Sequence, residues 1–303
     1  MRLKDLGENA FIKTIRERFP SNGIGDDTAV LDVPPGHSLL YCSDLVSENT
    51  HFIRDLHPPD SIGYKVIGVN VSDIGAMGGI PMFCTLSIAL PGELDIQWLN
   101  SFIDGVARAC AEFGVQLAGG DTSSADRIFA DVSMVGLVES GQAVRRSGAR
   151  PGDSIVVTGT LGGSALGLDR LRSGDLQKAR RHLYPTPRHR IGRAVARQAH
   201  AMIDISDGLS TDLWHIIQES RVSARIYRDR IPGEPGATWE QVLHGGEEYE
   251  LLIVAQDLPS EMDGIPLTKI GEIIPLSVDP QILLSDSSID TVLRPGGYQH
   301  FSQ

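Results

Sequence analysis

Six short acidic motifs constrain this chain more than any other feature, because each lies where a predicted loop meets a strand or a helix. They read GIGDD (23–27), SD (43–44), NVSD (70–73), GGD (119–121), DISDG (204–208) and GGEE (245–248). Two like charges held about 4 Å apart repel by roughly 4 kcal/mol at an effective dielectric constant of about 20. If the fold brings these motifs together, it must therefore include a positive partner for them.

The ligand types in these motifs indicate which cation that partner is. Oxygen ligands without a cluster of thiols or imidazoles suit Mg²⁺, Mn²⁺ or Ca²⁺ better than zinc. Glycines beside acidic residues are typical of sites that bind nucleotide phosphates through Mg²⁺. The chain has no GxxxxGK[ST] loop, no GxGxxG after its first predicted strand and no HRD or DFG motif. ATP chemistry in this chain therefore requires a less common scaffold.

Size and charge exclude several classes of protein. The 303 residues suffice for one large or two ordinary domains, and a net charge of −12 argues against binding the phosphate backbone of nucleic acid. The three cysteines form no CxxC pair and are odd in number, which predicts a reducing, cytoplasmic compartment rather than a disulfide framework. The N-terminus lacks the apolar core of a signal peptide, and no apolar run is long enough to predict a membrane span.

Strand and helix patterns alternate irregularly, which predicts two α+β domains rather than a doubly wound sheet. Helical spacing and stop signals predict helices at 6–19, 61–77, 95–113, 162–172, 187–200, 207–220 and 239–243. Apolar runs predict strands at 29–31, 38–45, 83–90, 115–118, 128–138, 155–158, 223–227 and 249–254, with a short buried segment at 201–204 and a turn-rich tail. Composition changes at 145–153, where Pro-Gly marks a turn. We therefore expect an N-terminal domain over 1–147 and a C-terminal domain over 148–303.

Each motif also has a purely structural interpretation. Asn70 and Asp73 share one face of a predicted helix, which fits a ligand set but also a helix cap or a salt bridge. The glycines at 119–121 permit close approach of the backbone to a ligand, but the same residues suit a tight turn closed by an aspartate side chain. Adjacent acids such as Asp26 and Asp27 are common in solvated turns.

The two C-terminal motifs are equally ambiguous when taken alone. Ser206 or Asp207 fits a helix N-cap, worth about 1 kcal/mol. A pair of charges, Asp204 and Asp207, leaving the apolar run at 201–203 also fits a metal or phosphate site. The GGEE motif fits a turn with an exposed acidic tip. A single motif does not identify a class of protein; only the residues of all the motifs, taken in their order along the chain, are specific.

In that order, the motifs resemble the thiamine-monophosphate kinase family. The segments that carry the resemblance are GIGDDTAV (23–30), CSDLVSENTHF (42–52), YKVIGVNVSDIGAMGGIP (64–81), GGDTS (119–123), RSGARPGD (146–153), IDISDGLSTDLWH (203–215) and HGGEEYELL (244–252). They extend over nearly the whole chain and are specific to a superfamily of ATP-dependent enzymes that includes aminoimidazole ribonucleotide synthetase. THF after SD, SDIGAMG and GGEEYEL are specific to the kinase branch.

The resemblance implies a fold of two α/β domains. An N-terminal domain that binds ATP and Mg²⁺ would pair with a second copy into a β-barrel shared across a homodimer, and a C-terminal α/β sandwich would complete the active site. The implied reaction is ATP-dependent phosphorylation of thiamine monophosphate to thiamine diphosphate, assisted by several Mg²⁺ ions, in cytoplasmic thiamine diphosphate biosynthesis. The expected partners are these small molecules and a second copy of the chain, with neither nucleic acid nor membrane.

Matching the motifs residue by residue implies a role for each candidate. The implied metal ligands are Asp27, Cys42, Ser43, Asp44, Asp73, Asp121, Asp204 and Asp207. The implied ATP contacts are Gly120, Asp121, Arg146 and Ser206. The implied contacts to the acceptor are His51, Glu247 and Tyr298. The residues expected to carry catalysis are Asp44, Asp73, Asp121 and Arg146. Two positions depart from the family pattern: Cys42–Ser43 stands where Ser or Thr followed by Thr is common, and Glu248 replaces the commoner Asp of GGEDYE.

The chemistry of phosphoryl transfer fits these residues. Positioning and charge neutralisation carry most of such a reaction, and Arg146 can bind phosphate oxygens with a forked geometry. No general base is needed, because the acceptor is already an anionic phosphate oxygen. A cationic thiazolium ring suits an acidic pocket with an aromatic wall, for which Tyr298 is a candidate.

Two alternatives stay open at this point. The first is a sister synthetase of the same superfamily that acts on another substrate through an acyl-phosphate or selenophosphate type of step. A selenophosphate synthetase is expected to carry a reactive Cys before the first acidic motif, but the first cysteine here is Cys42. A hydrogenase-maturation protein is expected to end in Cys, and this sequence ends in Gln303. The second alternative is a nucleotide- or Mg²⁺-sensing module without turnover.

Overall fold

The computed structural model describes residues 17–18, 33–287 and 289–299. The first acidic motif with Asp27, the strand predicted at 29–31 and most of the helix predicted at 6–19 lie outside the described residues. The chain divides into two compact units, unit 1 with Met1–Ile74 and Ile80–Gly141 and unit 2 with Gly75–Gly79 and Gln142–Gln303. Within the described ranges, no helix has both the length and the apolar character needed to cross a membrane.

Unit 1 is built on a four-stranded mixed sheet. Its described elements are β1 (His37–Ser47), α1 (Pro59–Ala76), β2 (Ile80–Leu90), α2 (Ile96–Phe113), β3 (Gln116–Ser124) and β4 (Phe129–Glu139). The strand order is β1-β4-β2-β3, with β4 antiparallel to both neighbours and β2 parallel to β3. This sheet is open, so the barrel expected across a dimer is not formed within the single chain.

The sheet of unit 1 has one covered face and one open face. Successive strand residues point to opposite sides, and along β4 Val132 and Met134 are fully buried. On β1, Leu39 and Tyr41 point the other way and are 52% and 71% exposed. α1 packs on the covered face, where a Cβ added to Gly136 would meet Ile74 at 2.5 Å.

Glycine lets α1 and α2 approach each other closely. A Cβ on Gly63 would lie 2.0 Å from the Phe102 carbonyl oxygen, and one on Gly105 would lie 2.0 Å from the Asp60 carbonyl oxygen. Both distances are impossible for a real side chain, so this helix pair requires glycine at both positions. α2 is closed by an Asp95 N-cap and by a left-handed glycine at its C-terminal end.

Unit 2 contains a larger sheet with helices on both faces. Its described elements are β5 (Ser154–Thr158), α3 (Gly163–Arg172), α4 (Arg180–Leu183), α5 (His189–Val195), β6 (Ala199–Asp204), α6 (Leu209–Ser220), β7 (Ser223–Tyr227), a 3-10 turn (Arg228–Arg230), α7 (Trp239–His244), β8 (Leu251–Ala255), β9 (Glu261–Met262), β10 (Ile265–Ile274), β11 (Ile282–Asp286) and β12 (Ile289–Leu293). The strand order is β12-β11-β7-β10-β5-β8-β6, with β9 paired to β10.

Alternate residues of the central strands belong to two different cores. Ile155 and Val157 of β5 pack in one cluster with Leu213 of α6, whereas Val156 packs in another with Ile191 of α5. Strands buried on both faces read as continuous apolar runs, which is why β5 and β8 were predictable from the sequence.

Three predicted elements need correction. The GGD motif neither ends a strand nor forms a tight turn, because β3 runs through it and pairs with β2 as far as Ser124. The helix predicted at 187–200 ends at Val195, and β6 begins at Ala199. The tail predicted to be turn-rich contains the strands β10, β11 and β12.

Candidate active site

Asp44 and Asp73 form the central contact among the candidate residues of unit 1. Asp44 is near the C-terminal end of β1 on the covered face, and the Asp73 side chain on α1 hydrogen bonds to it. Burial raises the pKa of Asp44, and the nearby charge of Asp131 raises it further. A hydrogen bond between two carboxyl groups needs a proton on one of them, and both can be ionised side by side only if a cation lies nearby. The pair therefore either shares a proton or holds a metal ion.

Cys42 shares the covered face with Asp44. Its thiol lies 3.5 Å from Asn70 Oδ1 and 3.7 Å from the Asn70 carbonyl oxygen. Asn70 is completely buried and donates its side-chain N–H to the Val66 carbonyl oxygen at 3.1 Å. Asn70 and Asp73 thus share a face of α1, as their spacing predicts, and that face meets β1.

Ser43 points to the opposite face of the sheet from Asp44. Its hydroxyl donates to Asp131 Oδ1 at 2.9 Å and accepts from Ser133 Oγ at 3.2 Å. Asp131 did not emerge from the sequence, because it lies inside a predicted apolar strand. Its position across the sheet from the SD motif depends on the β1–β4 register.

The pairing register of the strands also places Asp121 and Asp44 on opposite faces of the sheet. Asp44 pairs with Val132, Val132 with Leu86, and Leu86 with Gly120, so these four residues form one row across the sheet. Paired residues point to the same face, and Asp121 is the next residue along β3. Asp121 is therefore on the face that carries Ser43, and it is exposed.

His51 is fixed in the turn after β1. Its Nδ1 accepts the backbone N–H of Ser47 at 3.1 Å, and the backbone N–H of His51 donates to the Ser47 carbonyl oxygen at 3.0 Å. Because Nδ1 accepts a hydrogen bond, the neutral ring carries its proton on Nε2. The imidazole is thus oriented by the backbone rather than by packing alone.

In unit 2, three glycine-rich segments meet backbone to backbone. A Cβ on Gly246 would lie 2.6 Å from the Ser206 carbonyl oxygen, and one on Gly297 would lie 2.0 Å from the Asp207 carbonyl oxygen. The N–H groups of Glu247 and Tyr298 donate to these same two carbonyls at 2.8 and 3.1 Å. The fold therefore brings together the DISDG motif, the GGEE motif and the tail.

Carboxylates concentrate at the start of α6. Asp207, Asp212 and His215 each offer a ligand atom, and these atoms lie within 4.8 Å of one another. Burial raises the pKa of Asp212 well above its usual range, and the charges of Asp204 and Asp207 add to the shift. Asp212 also accepts the backbone N–H groups of Asp207 and Gly208 at 3.1 and 3.0 Å.

Arg146 lies close to this cluster. Burial lowers the pKa of His215, and the positive charge of Arg146 lowers it further. The Arg146 carbonyl oxygen accepts the Ser220 hydroxyl at 3.1 Å, which ties the segment to the end of α6. An exposed arginine is thereby held beside the acidic start of unit 2's longest described helix.

Glu248 and Glu250 are buried carboxylates beside the predicted acceptor residue Glu247. Glu250 receives two hydrogen bonds from Arg188, at 2.6 and 2.7 Å. Glu248 Oε2 lies 2.9 Å from Arg181 Nη2, yet this contact is not aligned as a hydrogen bond. Burial raises the pKa of Glu248 to about 7. A cleft of about 390 Å³ is lined by Glu248, Glu250, Arg181 and Arg188.

Within each unit, the structure brings several of the candidates together. Unit 1 brings Asp44 and Asp73 together, and unit 2 brings together Asp204, Ser206, Asp207, Glu247, Tyr298 and Arg146. The residues that sequence analysis missed are Asp131, Asp212, His215, Arg181, His182, Arg188 and Glu250. For Asp212 a signal was available, since an acid five residues after Asp207 falls on the apolar face of the predicted helix.

Comparison with known proteins gives matches across both units. The models of the N-terminal and C-terminal domains of AIR synthase related proteins match residues 25–138 and 150–274. A thiamine-monophosphate kinase of Salmonella typhimurium is 38% identical over 304 residues, with 92% of each chain covered. The structure of AaThiL complexed with AMPPCP and TMP is 34% identical, covers 99% of both chains and superposes with a TM-score of 0.79. The hydrogenase maturation protein HypE in complex with ATP has a TM-score of 0.77 over 97% of this chain and 98% of its own, but at 19% identity this likeness shows the fold alone.

Proposed function

Because the chain belongs to the thiamine-monophosphate kinase family of AIR synthase related proteins, we propose that it phosphorylates thiamine monophosphate with ATP. In this reaction the bond between the γ-phosphorus of ATP and its bridging oxygen breaks, and ADP leaves with that oxygen. A phosphate oxygen of thiamine monophosphate forms the new bond, giving thiamine diphosphate. The observation that carries the proposal is the similarity over nearly the whole length to kinases of this name, supported by a relative complexed with AMPPCP and TMP.

The carboxylates support a role for Mg²⁺. Asp44 is partly buried beside Asp73 and has a raised pKa, and Asp207 and Asp212 lie in a second cluster with His215. Such oxygen-rich sets suit a hard cation. We propose that Asp44 and Asp73 in unit 1, and Asp204 and Asp207 in unit 2, hold Mg²⁺, which when bound would neutralise charge on the transferred phosphoryl group. The roles of Asp27, Cys42, Ser43 and Asp121 as ligands stay predictions.

The remaining side chains would bind and orient the two substrates. Arg146 is exposed beside the unit 2 cluster and can donate to phosphate oxygens, with Ser206 and Gly120 as further ATP contacts. Glu247 would accept hydrogen bonds from amino groups of the acceptor, and Tyr298, 48% exposed, would pack against one of its rings. His51 would reach the acceptor with Nε2–H, because its Nδ1 is occupied by the backbone.

We further propose a cytoplasmic homodimer. The open face of the unit 1 sheet carries exposed apolar side chains, including Leu39, Tyr41 and Leu45, and such a surface is typical of an interaction site. A second copy of the same face would cover it and close the two sheets into the barrel. None of the three cysteines forms a disulfide, which fits a reducing compartment.

A substrate panel tests the function against its alternatives. The protein would be incubated with ATP, Mg²⁺ and either thiamine monophosphate, formylglycinamidine ribonucleotide or selenide, and products would be separated by chromatography. We expect thiamine diphosphate and ADP in equal amounts with thiamine monophosphate, and no ATP consumption with the other two. Turnover only with another acceptor would support a sister synthetase instead. Nucleotide binding without turnover on any acceptor would support a sensing module.

A further inference from the structure

The loop that carries Glu247 has an unusual backbone. Glu247 and Tyr249 have φ values of 59° and 54°, in the left-handed region that residues other than glycine rarely adopt. Such conformations persist only where the surroundings fix them. Part of that support is the pair of hydrogen bonds from the two N–H groups to the carbonyl oxygens of Ser206 and Ile205, at 2.8 and 2.9 Å.

Side chains of α4 supply a second support. Two consecutive residues, Arg181 and His182, contact two consecutive residues of the loop, Glu248 and Glu247. Arg181 Nη2 is 2.9 Å from Glu248 Oε2, and His182 Nδ1 is 3.4 Å from Glu247 Oε2. Glu248 is buried, whereas the Glu247 side chain is 27% exposed. His182 therefore contacts the more exposed acid of this pair.

His182 itself has little freedom to move. It is only 3% exposed, and its Nδ1 lies 3.1 Å from Ser164 Oγ at the start of α3. A Cβ on Gly167 would lie 2.9 Å from the His182 Cβ, so α3 packs directly against the base of the imidazole. The backbone N–H of Ser164 also donates to Glu248 Oε1 at 2.9 Å. One turn of α3 thus holds both contacts in place.

We propose that His182 is a positioning residue that fixes the Glu247 carboxylate where it receives the amino groups of the acceptor, and so sets the affinity for thiamine monophosphate. This inference rests on the proposed function, in which Glu247 contacts the acceptor. A carboxylate accepts hydrogen bonds at both oxygens, so a contact at Oε2 restricts the side chain without using up its capacity to bind a ligand. In the proposed site, ATP contacts neither His182 nor Glu247.

Steady-state kinetics with thiamine monophosphate and ATP as varied substrates tests the role of His182. His182→Leu should raise the KM for thiamine monophosphate about ten-fold, because the contact that orients the Glu247 carboxylate is lost. The KM for ATP should stay within two-fold or so of the wild-type value, and kcat should change by less than about three-fold. His182→Asn places an amide N–H at the position of Nδ1 and should restore most of the affinity.

His200 offers a matched control. It forms a similar contact to a buried carboxylate, with Nδ1 2.8 Å from Asp153 Oδ2, but it lies at the far end of β6 from Asp204. His200→Leu should lower the melting temperature and leave both KM values unchanged. A rise in the KM for thiamine monophosphate in this control as well would show that any loss of a histidine–carboxylate contact has this effect, and would overturn the inference.

A double-mutant cycle separates this inference from the function on which it rests. In a Glu247→Gln background, His182→Leu should have no further effect on the KM for thiamine monophosphate, because the two act through one contact. Fully additive effects would overturn the positioning role while leaving the kinase assignment intact. A wild-type KM in Glu247→Gln would remove Glu247 from the acceptor site, and the role of His182 with it. Failure of the wild-type protein to make thiamine diphosphate would refute the function itself.

A second variant, Ser164→Ala, tests the same inference if His182→Leu does not fold. This change removes the hydroxyl beside His182 Nδ1 but keeps the backbone N–H that binds Glu248. We expect a rise of about three-fold in the KM for thiamine monophosphate, abolished in the Glu247→Gln background. An unchanged KM for thiamine monophosphate in Ser164→Ala would overturn the inference.

Discussion

At the scale of single residues, Asp73 is the side chain whose charge the account depends on most. It hydrogen bonds to the partly buried Asp44, and together they form the carboxylate pair of unit 1. Replacing Asp73 by Asn keeps the shape and the hydrogen bond but removes a negative charge. A cation that needs both charges would then be lost.

Asp73→Asn should lower kcat/KM by at least about a hundred-fold, since electrostatic stabilisation of the transferred group is lost, with little change in melting temperature. Coupled-enzyme assays and thermal unfolding measure the two quantities. Asp104→Asn is the control, because Asp104 is 63% exposed on α2 and its surface ion pair with Arg18 contributes little. A fully active Asp73→Asn enzyme would remove Asp73 from the site.

Glu248 gives a prediction on pH. Burial raises its pKa in the folded protein from 4.5 to about 7. The folded state therefore binds this proton more tightly than the unfolded state. The resulting stabilisation of the folded protein is complete below about pH 4.5 and is lost as the pH rises through about 7. Glu248→Gln cannot ionise, so it should not show this loss.

Urea unfolding at pH 5 and pH 8 measures the difference. Between those values the free energy of unfolding of the wild type should fall relative to Glu248→Gln, by up to about 3 kcal/mol. Glu240→Gln is the control, because Glu240 is exposed on α7 and should give no such trend. A constant difference between wild type and Glu248→Gln would show that Arg181 keeps Glu248 ionised throughout.

The sequence identified candidate site residues, but it did not identify the side chains that contact them. The motif match singled out Glu247 and Asp44, because motif wording is a property of the sequence. It did not indicate Asp131 or His182, since each reaches its partner through strand register or helix packing between segments far apart in the chain. Asp131 in particular occupies a strand position that reads as core, yet it points to the open face.

At the scale of elements, the GGD motif shows how a structural requirement can accompany a functional one. β3 runs through the motif in parallel with β2. A Cβ on Gly120 would lie 1.9 Å from the Leu86 carbonyl oxygen, whereas one on Gly119 would meet only Thr85 at 3.9 Å. Gly120 is thus required by the sheet whether or not ATP approaches it.

Gly120→Ala should therefore destabilise unit 1 by about 2 kcal/mol or more, because the backbone of β2 must shift. Gly119→Ala should change stability by less than about 1 kcal/mol. Chemical denaturation of both variants measures this difference directly. Equal stability of the two variants would show that Gly120 of β3 is not paired with Leu86 of β2.

Helices and central strands were predictable at this scale, but the C-terminal strands were not. β5 and β8 are buried along their whole length, so their sequences are continuous apolar runs. β12 is exposed along most of its length and is only five residues long, with Asp290 and Thr291 inside it. Its strand character comes from pairing with β11, which no local pattern indicates.

At the scale of the whole molecule, the described part of unit 1 presents a sheet face with exposed apolar side chains. We predict a dimer through this face, with sedimentation at about twice the chain mass of 32.7 kDa at micromolar concentration. Replacing Leu39 and Tyr41 by Lys should produce a folded monomer, because two charged side chains would be buried at the interface. Val278→Lys is the control, since Val278 is 83% exposed in unit 2. A wild-type monomer, or a double variant that still dimerises, would contradict the prediction.

The central claim is direct transfer of the γ-phosphoryl group to thiamine monophosphate, and the fate of that group tests it. The protein would be mixed in excess with ATP labelled in the γ-phosphoryl group, thiamine monophosphate and Mg²⁺, and the products would be separated in a single turnover. We predict that the label appears in thiamine diphosphate as ATP disappears, with little free phosphate. Release of the label as inorganic phosphate, with thiamine monophosphate unchanged, would contradict direct transfer and would show that the protein transfers the γ-phosphoryl group to water instead.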